Sequence, residues 1–244
     1  MSRSSGRVHL TPGYILHHRP FRDTSRILEV LTREHGRLTL FARAVRGPKA
    51  RLSPVLQLFQ PLLLSWSGRG EAPQLTDAER VGAAREMPAG CLMPCFYLNE
   101  LLLKLTTRHD PHVLLFDAYH AALEELKDGA PLERTLRLFE KRLLAEVGYG
   151  LELEAESHTG RGIDPEGYYD FRPDRGLAPV AAGAPHALSG QSLLSLAREQ
   201  LLSKGELDDA RRLLQAALAH CLEGRELSTR AVARRCRGMG QESR

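Results

Sequence analysis

Between Arg19 and Arg51 lie nine cationic side chains: Arg19, Arg22, Arg26, Arg33, Arg37, Arg43, Arg46, Lys49 and Arg51. Only Asp23, Glu29 and Glu34 oppose them. A guanidinium is planar, permanently charged, able to grip phosphate with two N–H groups, and able to lie on an aromatic face. That chemistry suits a polyanion. Tyr14, Phe21, Phe41 and Phe59 are interleaved with the arginines. Such rings either stack on bases, at about 1–3 kcal/mol each in single-strand binders, or fill a core. Phe41 and Phe59 sit in apolar stretches and read as core. Phe21, between Pro20 and Arg22, is the stacking candidate. The expected nucleic-acid set is Arg19, Phe21, Arg22, Arg26, Arg37, Arg43, Arg46, Lys49 and Arg51, and binding led by phosphate is sequence-tolerant and salt-sensitive. A solvated basic surface is the alternative.

Arg134, Arg137 and Lys141 recur at helical spacing and form one basic stripe beside an apolar face. Such a stripe fits a peptide with acidic residues and an apolar end. The pattern equally fits, and by itself favours, a solvated face balanced by Glu133 and Glu140. Cys91 and Cys95 followed by His109 and His112 resemble a zinc ligand set. The apolar helix between the two pairs holds them roughly 20 Å apart, so no metal is expected. Phosphate-loop, dinucleotide and nucleophile-elbow motifs are absent. The residues point to a non-enzyme without cofactor.

These groups need positioning elements. Residues 8–18, 26–32, 37–43, 58–66 and 74–81 read as strands, with a Gly/Pro loop at 46–54. Five short strands with such turns suit a small Greek-key barrel of the OB type. Near residue 85 the period changes. Phe96 to Thr107 is apolar nearly all round, as in a buried helix. Further helices are expected at about 113–128, 132–147, 189–203 and 206–222, and Ser228 could cap a last basic turn. Residues 151–187 are rich in Gly, Pro and aromatics. The fold class is therefore α+β: an OB-fold barrel (residues 1–82), then an α-helical domain (83–244) with a loop-rich insert at 148–187.

The 244 residues carry a net charge of +4, split as +7 over residues 1–80 and −3 over the remainder. This asymmetry places an anionic partner on the N-terminal half. Four cysteines and no secretory or membrane-spanning apolar run point to a reduced, cytoplasmic setting.

Several motifs in order resemble the bacterial RecO family: Gly13-Tyr14-Ile15-Leu16, Arg22-Asp23-Thr24-Ser25-Arg26-Ile27-Leu28, Gly36-Arg37-Leu38, Ala44-Val45-Arg46-Gly47, Phe96-Tyr97-Leu98-Asn99-Glu100-Leu101, Leu136-Arg137-Leu138-Phe139-Glu140, Val147-Gly148-Tyr149-Gly150 and Gly224-Arg225-Glu226-Leu227-Ser228. The resemblance implies an OB domain that binds single- and double-stranded DNA and anneals complementary strands. It implies a helical domain that binds the acidic, apolar tail of single-stranded-DNA-binding protein (SSB), with Arg137 matching a family arginine there. With RecR, such a protein helps RecA replace SSB on DNA. Many relatives hold zinc with four cysteines in the insert. Here that segment has no cysteine, only His158 and His186, so a zinc-free insert held by Tyr168, Tyr169 and Phe171 is expected. Arg225 and Glu226 also depart from the family's closing motif. The competing readings are an OB-fold RNA-binding adaptor and a hydrolase without a recognisable motif.

Overall fold

The computed structural model describes residues 6–45 and 51–229. The chain divides into two compact units, one of residues 1–127 with 228–244, the other of Asp128–Leu227. The boundary at 82/83 drawn from sequence follows the change from strand to helix period. Compactness divides the chain elsewhere, because two helices pack on the barrel.

In the first unit, β1 (Arg7–Phe21), β2 (Ser25–Thr32), β3 (Gly36–Ala42), β4 (Leu62–Ser67) and β5 (Gln74–Arg80) close into a barrel of order β1-β2-β3-β5-β4. Closure requires β1 to serve two partners. Its first half pairs with β4 and its second half with β2. At the crossing, a Cβ on Gly13 would lie 2.8 Å from Leu64 Cδ1 and 3.2 Å from Leu31 O, so glycine lets the strands approach without shifting either neighbour. Between β3 and β5 a parallel pairing at Phe41 and Gln74 completes the ring. Ile15, Leu28, Val30, Leu38, Leu40, Leu62, Leu64 and Trp66 fill the interior. The barrel expected from strand spacing is present.

A short 3-10 turn leads into α1 (Leu92–Leu105) and then α2 (Val113–Lys127). Both pack on the outer side of β1. Tyr14 is 1% exposed and meets Tyr119 edge-on at 5.1 Å, so this ring belongs to the core. Asn99 interrupts the apolar run of α1 for a structural reason. Its Nδ2 donates to Leu16 O at 2.8 Å, and its Oδ1 accepts from Tyr119 Oη at 2.5 Å. All of these groups are buried, so each needs its partner. Replacing Asn99 with alanine removes both of these buried hydrogen bonds and is expected to cost about 2–3 kcal/mol. Urea unfolding measures this, and a loss below about 0.5 kcal/mol would refute the bridging role.

The second unit holds α3 (Leu132–Glu146), the strands β6 (Tyr168–Arg172), β7 (Gly176–Val180) and β8 (Leu188–Ser189), then α4 (Gly190–Ala197) and α5 (Lys204–Cys221). The strands form a sheet of order β7-β6-β8. Of the three insert aromatics, Tyr169 is 3% exposed and its Oη accepts from Asp164 N at 2.8 Å. Tyr168 is exposed and Phe171 half-buried. Leu153, Ile163, Leu177 and Leu188 are buried as well. Ser157 adds a clasp, with its N–H donating to Leu177 O and its Oγ accepting from Leu177 N. His158 and His186 are exposed, and no group of three or more potential metal ligands occurs among the described residues.

α4 stops at Ala197, short of the expected residue 203. Glu199 adopts φ +59°, while Gln200 N donates to Ser195 O and Glu199 N to Leu196 O, a Schellman-type ending with glutamate in the usual glycine slot. The following helix starts afresh at Ser203 with a capping box formed with Glu206.

Burial alone would raise the Glu206 carboxyl. Hydrogen bonds from Ser195 Oγ and from the Ser203 and Leu202 backbone outweigh it and hold the pKa at about 2, below its ordinary 4.5. A depressed folded-state carboxyl contributes stability above the unfolded value that is lost as pH falls through the folded one. Glu206→Gln is therefore expected to flatten the acid branch of the stability curve between pH 4.5 and about 2. Thermal midpoints across that range test it, and identical acid slopes in the two proteins would refute it.

Candidate nucleic-acid interface

Side chains alternate between the two faces of a strand. With Leu28, Val30, Leu38, Leu40 and Ala42 in the barrel core, Ile27, Glu29, Arg37, Thr39 and Phe41 take the outer face. Register extends that face onto β1. Phe21 pairs with Ser25, Arg19 with Ile27, and His17 with Glu29. The outer side of β1-β2-β3 therefore carries Arg19, Phe21, Phe41 and Arg37 on one continuous surface.

At one end of this surface Phe21 and Phe41 meet edge-to-face, with centroids 5.4 Å apart. The Arg22 guanidinium lies 5.4 Å from the Phe21 centroid and that of Arg43 5.6 Å from the Phe41 centroid. Arg22 sits at φ +52° in the tight turn between β1 and β2, which aims its side chain back over Phe21. Arg19, Arg22 and Arg43 are exposed, and Phe21 and Phe41 are half-buried. Neither Arg19 nor Arg43 has a carboxylate partner among the described residues. Two ring faces bordered by three exposed guanidiniums offer stacking and phosphate contacts together.

Arg26 pairs with Pro20 and Ala42, so it has core parity and lies at the barrel rim. Burial, and then the Arg26 charge, lower the pKa of its neighbour His18. Arg37 is on the outer face but committed. Its Nη2 donates to Thr106 O at 2.8 Å, its Nε to Thr106 Oγ1 and its Nη1 to Glu29. Arg51 is exposed and 3.2 Å from Asp77 of β5. Arg46 and Lys49 lie outside the described residues. Phe59 is 4% exposed, and its ring contacts Phe96.

Sequence reasoning assigned Phe41 to the core and overlooked Arg108. The first error came from the apolar neighbours of Phe41, Leu40 and Ala42, although alternation with Arg37, Thr39 and Arg43 puts Phe41 on the outer face. The second residue reaches the sheet from the connection between α1 and α2, which no strand period can signal.

In the second unit the expected basic stripe is divided. Arg134 donates to Glu199 O at 3.1 Å and Lys141 to Ala197 O at 2.7 Å. Arg142 pairs with the Glu199 carboxylate. These cations sit on the C-terminal end of α4, where the helix dipole and open carbonyls favour positive charge. Arg137 faces elsewhere. It is 8% exposed and its Nη2 lies 2.8 Å from Oε1 of Glu140, which is 0% exposed. The Nε and Nη1 of Arg137 have no hydrogen-bond partner among the described residues. Seven residues bring Arg134 and Lys141 back to the same side of α3, where both meet the α4 end, whereas Arg137, three residues on, is turned roughly 60° away from them.

No described helix is long and apolar enough to cross a membrane. Residues 7–84 match the family model for the N-terminal part of recombination protein O, and residues 92–231 match that for its C-terminal part. The chain is 40% identical over 234 residues to the DNA repair protein RecO of Ralstonia nicotianae, covering 95% of this chain and 86% of that protein. It is 42% identical to the proteins of the same name from Methylococcus capsulatus (93% and 94% covered) and from Coxiella burnetii (93% and 98%). Together with the barrel and the helical region, these matches make the chain a member of the RecO family of DNA repair proteins.

Proposed function

We propose that this protein is a recombination mediator that binds single- and double-stranded DNA, anneals complementary strands and is recruited through the SSB tail. The observation that carries the reading is the outer face of β1-β2-β3, where exposed Arg19, Arg22 and Arg43 border the Phe21–Phe41 pair. Rings accept any base, and guanidiniums screen the repulsion between phosphates, so two strands can approach without bond chemistry. Arg46, Lys49 and Arg51, on the connection leaving β3, add charge to this region of the sequence. Arg26 contributes from the rim, and Arg37 holds the sheet to Thr106.

The tail contact is proposed at Arg137. A buried guanidinium with two open nitrogens, Nε and Nη1, suits a carboxylate from an acidic peptide with an apolar end. Arg134 and Lys141 shape the neighbouring helix end. RecR and, through it, RecA are the further partners of this reading, in a cytoplasmic, nucleoid-associated setting. No cofactor or catalytic step is part of it.

The test is fluorescence anisotropy with single-stranded DNA across a salt series, with unlabelled RNA as competitor. A steep salt dependence and preference for DNA support the reading. A flat response contradicts a phosphate-led interface, and preference for RNA favours an RNA adaptor.

A further inference from the structure

Glu29 lies on the same outer face, paired with Thr39 across β2-β3 and with His17 across β1-β2. Its carboxylate gathers two guanidiniums and a hydroxyl. Arg108 Nη2 donates at 2.6 Å, Arg37 Nη1 at 3.2 Å and Thr39 Oγ1 at 2.7 Å. The two arginines differ in freedom. Arg37 has 12% of its side chain exposed and is also bound to Thr106, whereas Arg108 has 52% exposed and bonds only Glu29 among the described residues.

The placement of Arg108 is built into the backbone. The segment after α1 runs beside β3, bridged between Arg37 and Arg108, with His109 N donating to Arg37 O at 2.8 Å. A Cβ on Gly36 would lie 2.2 Å from Asp110 O, so this approach requires glycine. Two guanidiniums around one carboxylate leave an excess positive charge at the surface. That site stands four residues along β3 from Phe41, about 13 Å away at the usual rise. The separation corresponds to about four nucleotides of stacked strand.

Resting on the assignment of this face to polynucleotide, we propose that Arg108 is a phosphate-contacting residue at its far end and that Glu29 is an internal competitor for it. A strand running from the Phe21–Phe41 pair along β3 reaches Arg108. There a phosphate oxygen takes over the guanidinium that Glu29 holds in the free protein. Arg37 stays on Glu29 and Thr106 and keeps the clasp closed. Glu29 thus weakens binding in proportion to the charge it neutralises and repels the incoming phosphate.

The test compares Glu29→Gln, Arg108→Ala and Arg108→Lys in anisotropy titrations with oligothymidylate of about 16 nucleotides, the upper end of what one such barrel covers. Glu29→Gln keeps the acceptor for Thr39 and removes the charge, so binding should tighten about three- to fivefold, the range of one exposed charge pair. Arg108→Ala should weaken binding and lower the slope of log affinity against log salt by about 0.7, one single-strand phosphate contact. Arg108→Lys should retain the slope. Thermal melts report folding of each variant, and if Glu29→Gln does not fold, the alanine–lysine comparison decides. Lowered melting temperatures with unchanged affinity and slope would make the triad a structural clasp only and overturn the proposal. Arg43→Glu separates the two ideas. If it leaves binding intact, the face assignment fails. If it weakens binding while the Glu29 and Arg108 variants do not alter it, the Arg108 assignment alone falls.

Discussion

Reversing Arg19, Arg22 and Arg43 together to glutamate is expected to lower affinity for single-stranded DNA by about 10²–10³-fold at moderate salt. Each charge-assisted contact to phosphate is worth roughly 1–1.5 kcal/mol here, and every 1.4 kcal/mol is tenfold. All three side chains are exposed and none is a strand-core residue, so folding should survive. The slope against log salt should fall by about 2, three contacts at about 0.7 each. Phe21→Ala is the companion experiment. It removes a stacking ring and should weaken binding without changing the slope, because no charge is lost. A triple variant that binds DNA with unchanged affinity and salt dependence would remove this face from consideration.

The separation of the two variants matters because Arg22 and Arg43 also sit against rings. A cation over an aromatic face is held in place before any ligand arrives, which reduces the entropy lost on binding. Arg22 and Arg43 are therefore expected to show smaller effects as lysine than as glutamate, but not none, since lysine keeps charge and loses the planar contact.

Strand and helix periods carried most of the fold. Short runs of β-formers mark the barrel strands, and Gly36, Asp23 and the 46–54 loop mark their ends, so an OB-type barrel was legible in the sequence. Helix ends were harder. α4 is shorter than expected because Glu199 takes a left-handed conformation that its residue type does not advertise. The candidate site was legible by composition but not by face. Arg19, Phe21 and Phe41 share a surface through the β1-β2-β3 register, which depends on a bulge between Ile15 and His17. Without that bulge, parity counted from Tyr14 would send Arg19 and Phe21 to the opposite side. Arg37 looked equivalent to its neighbours in sequence, yet the approach of residues 106–110 consumes its donors. Long-range packing decides such cases, and a one-dimensional pattern contains no record of it.

The same gap between residue type and environment governs Arg137, where stability and recognition must be pulled apart. Arg137→Ala leaves the Glu140 carboxylate, fully buried, without its guanidinium, and is expected to cost about 3–5 kcal/mol. Loss of SSB-tail binding in that variant would then say nothing about contact. Removing both charges, as in Arg137→Met with Glu140→Met, should recover most of the stability, since an apolar pair of similar volume often equals a buried ion pair. Denaturant unfolding measures the first effect. Titration with a fluorescent SSB tail peptide, with and without its final apolar residue, measures the second. If Arg137 meets the tail carboxylate, the double variant folds, binds naked DNA as before and still fails to bind the peptide, because the donors are gone. If peptide binding returns together with stability, the guanidinium only supports the fold, and the tail must be recognised elsewhere.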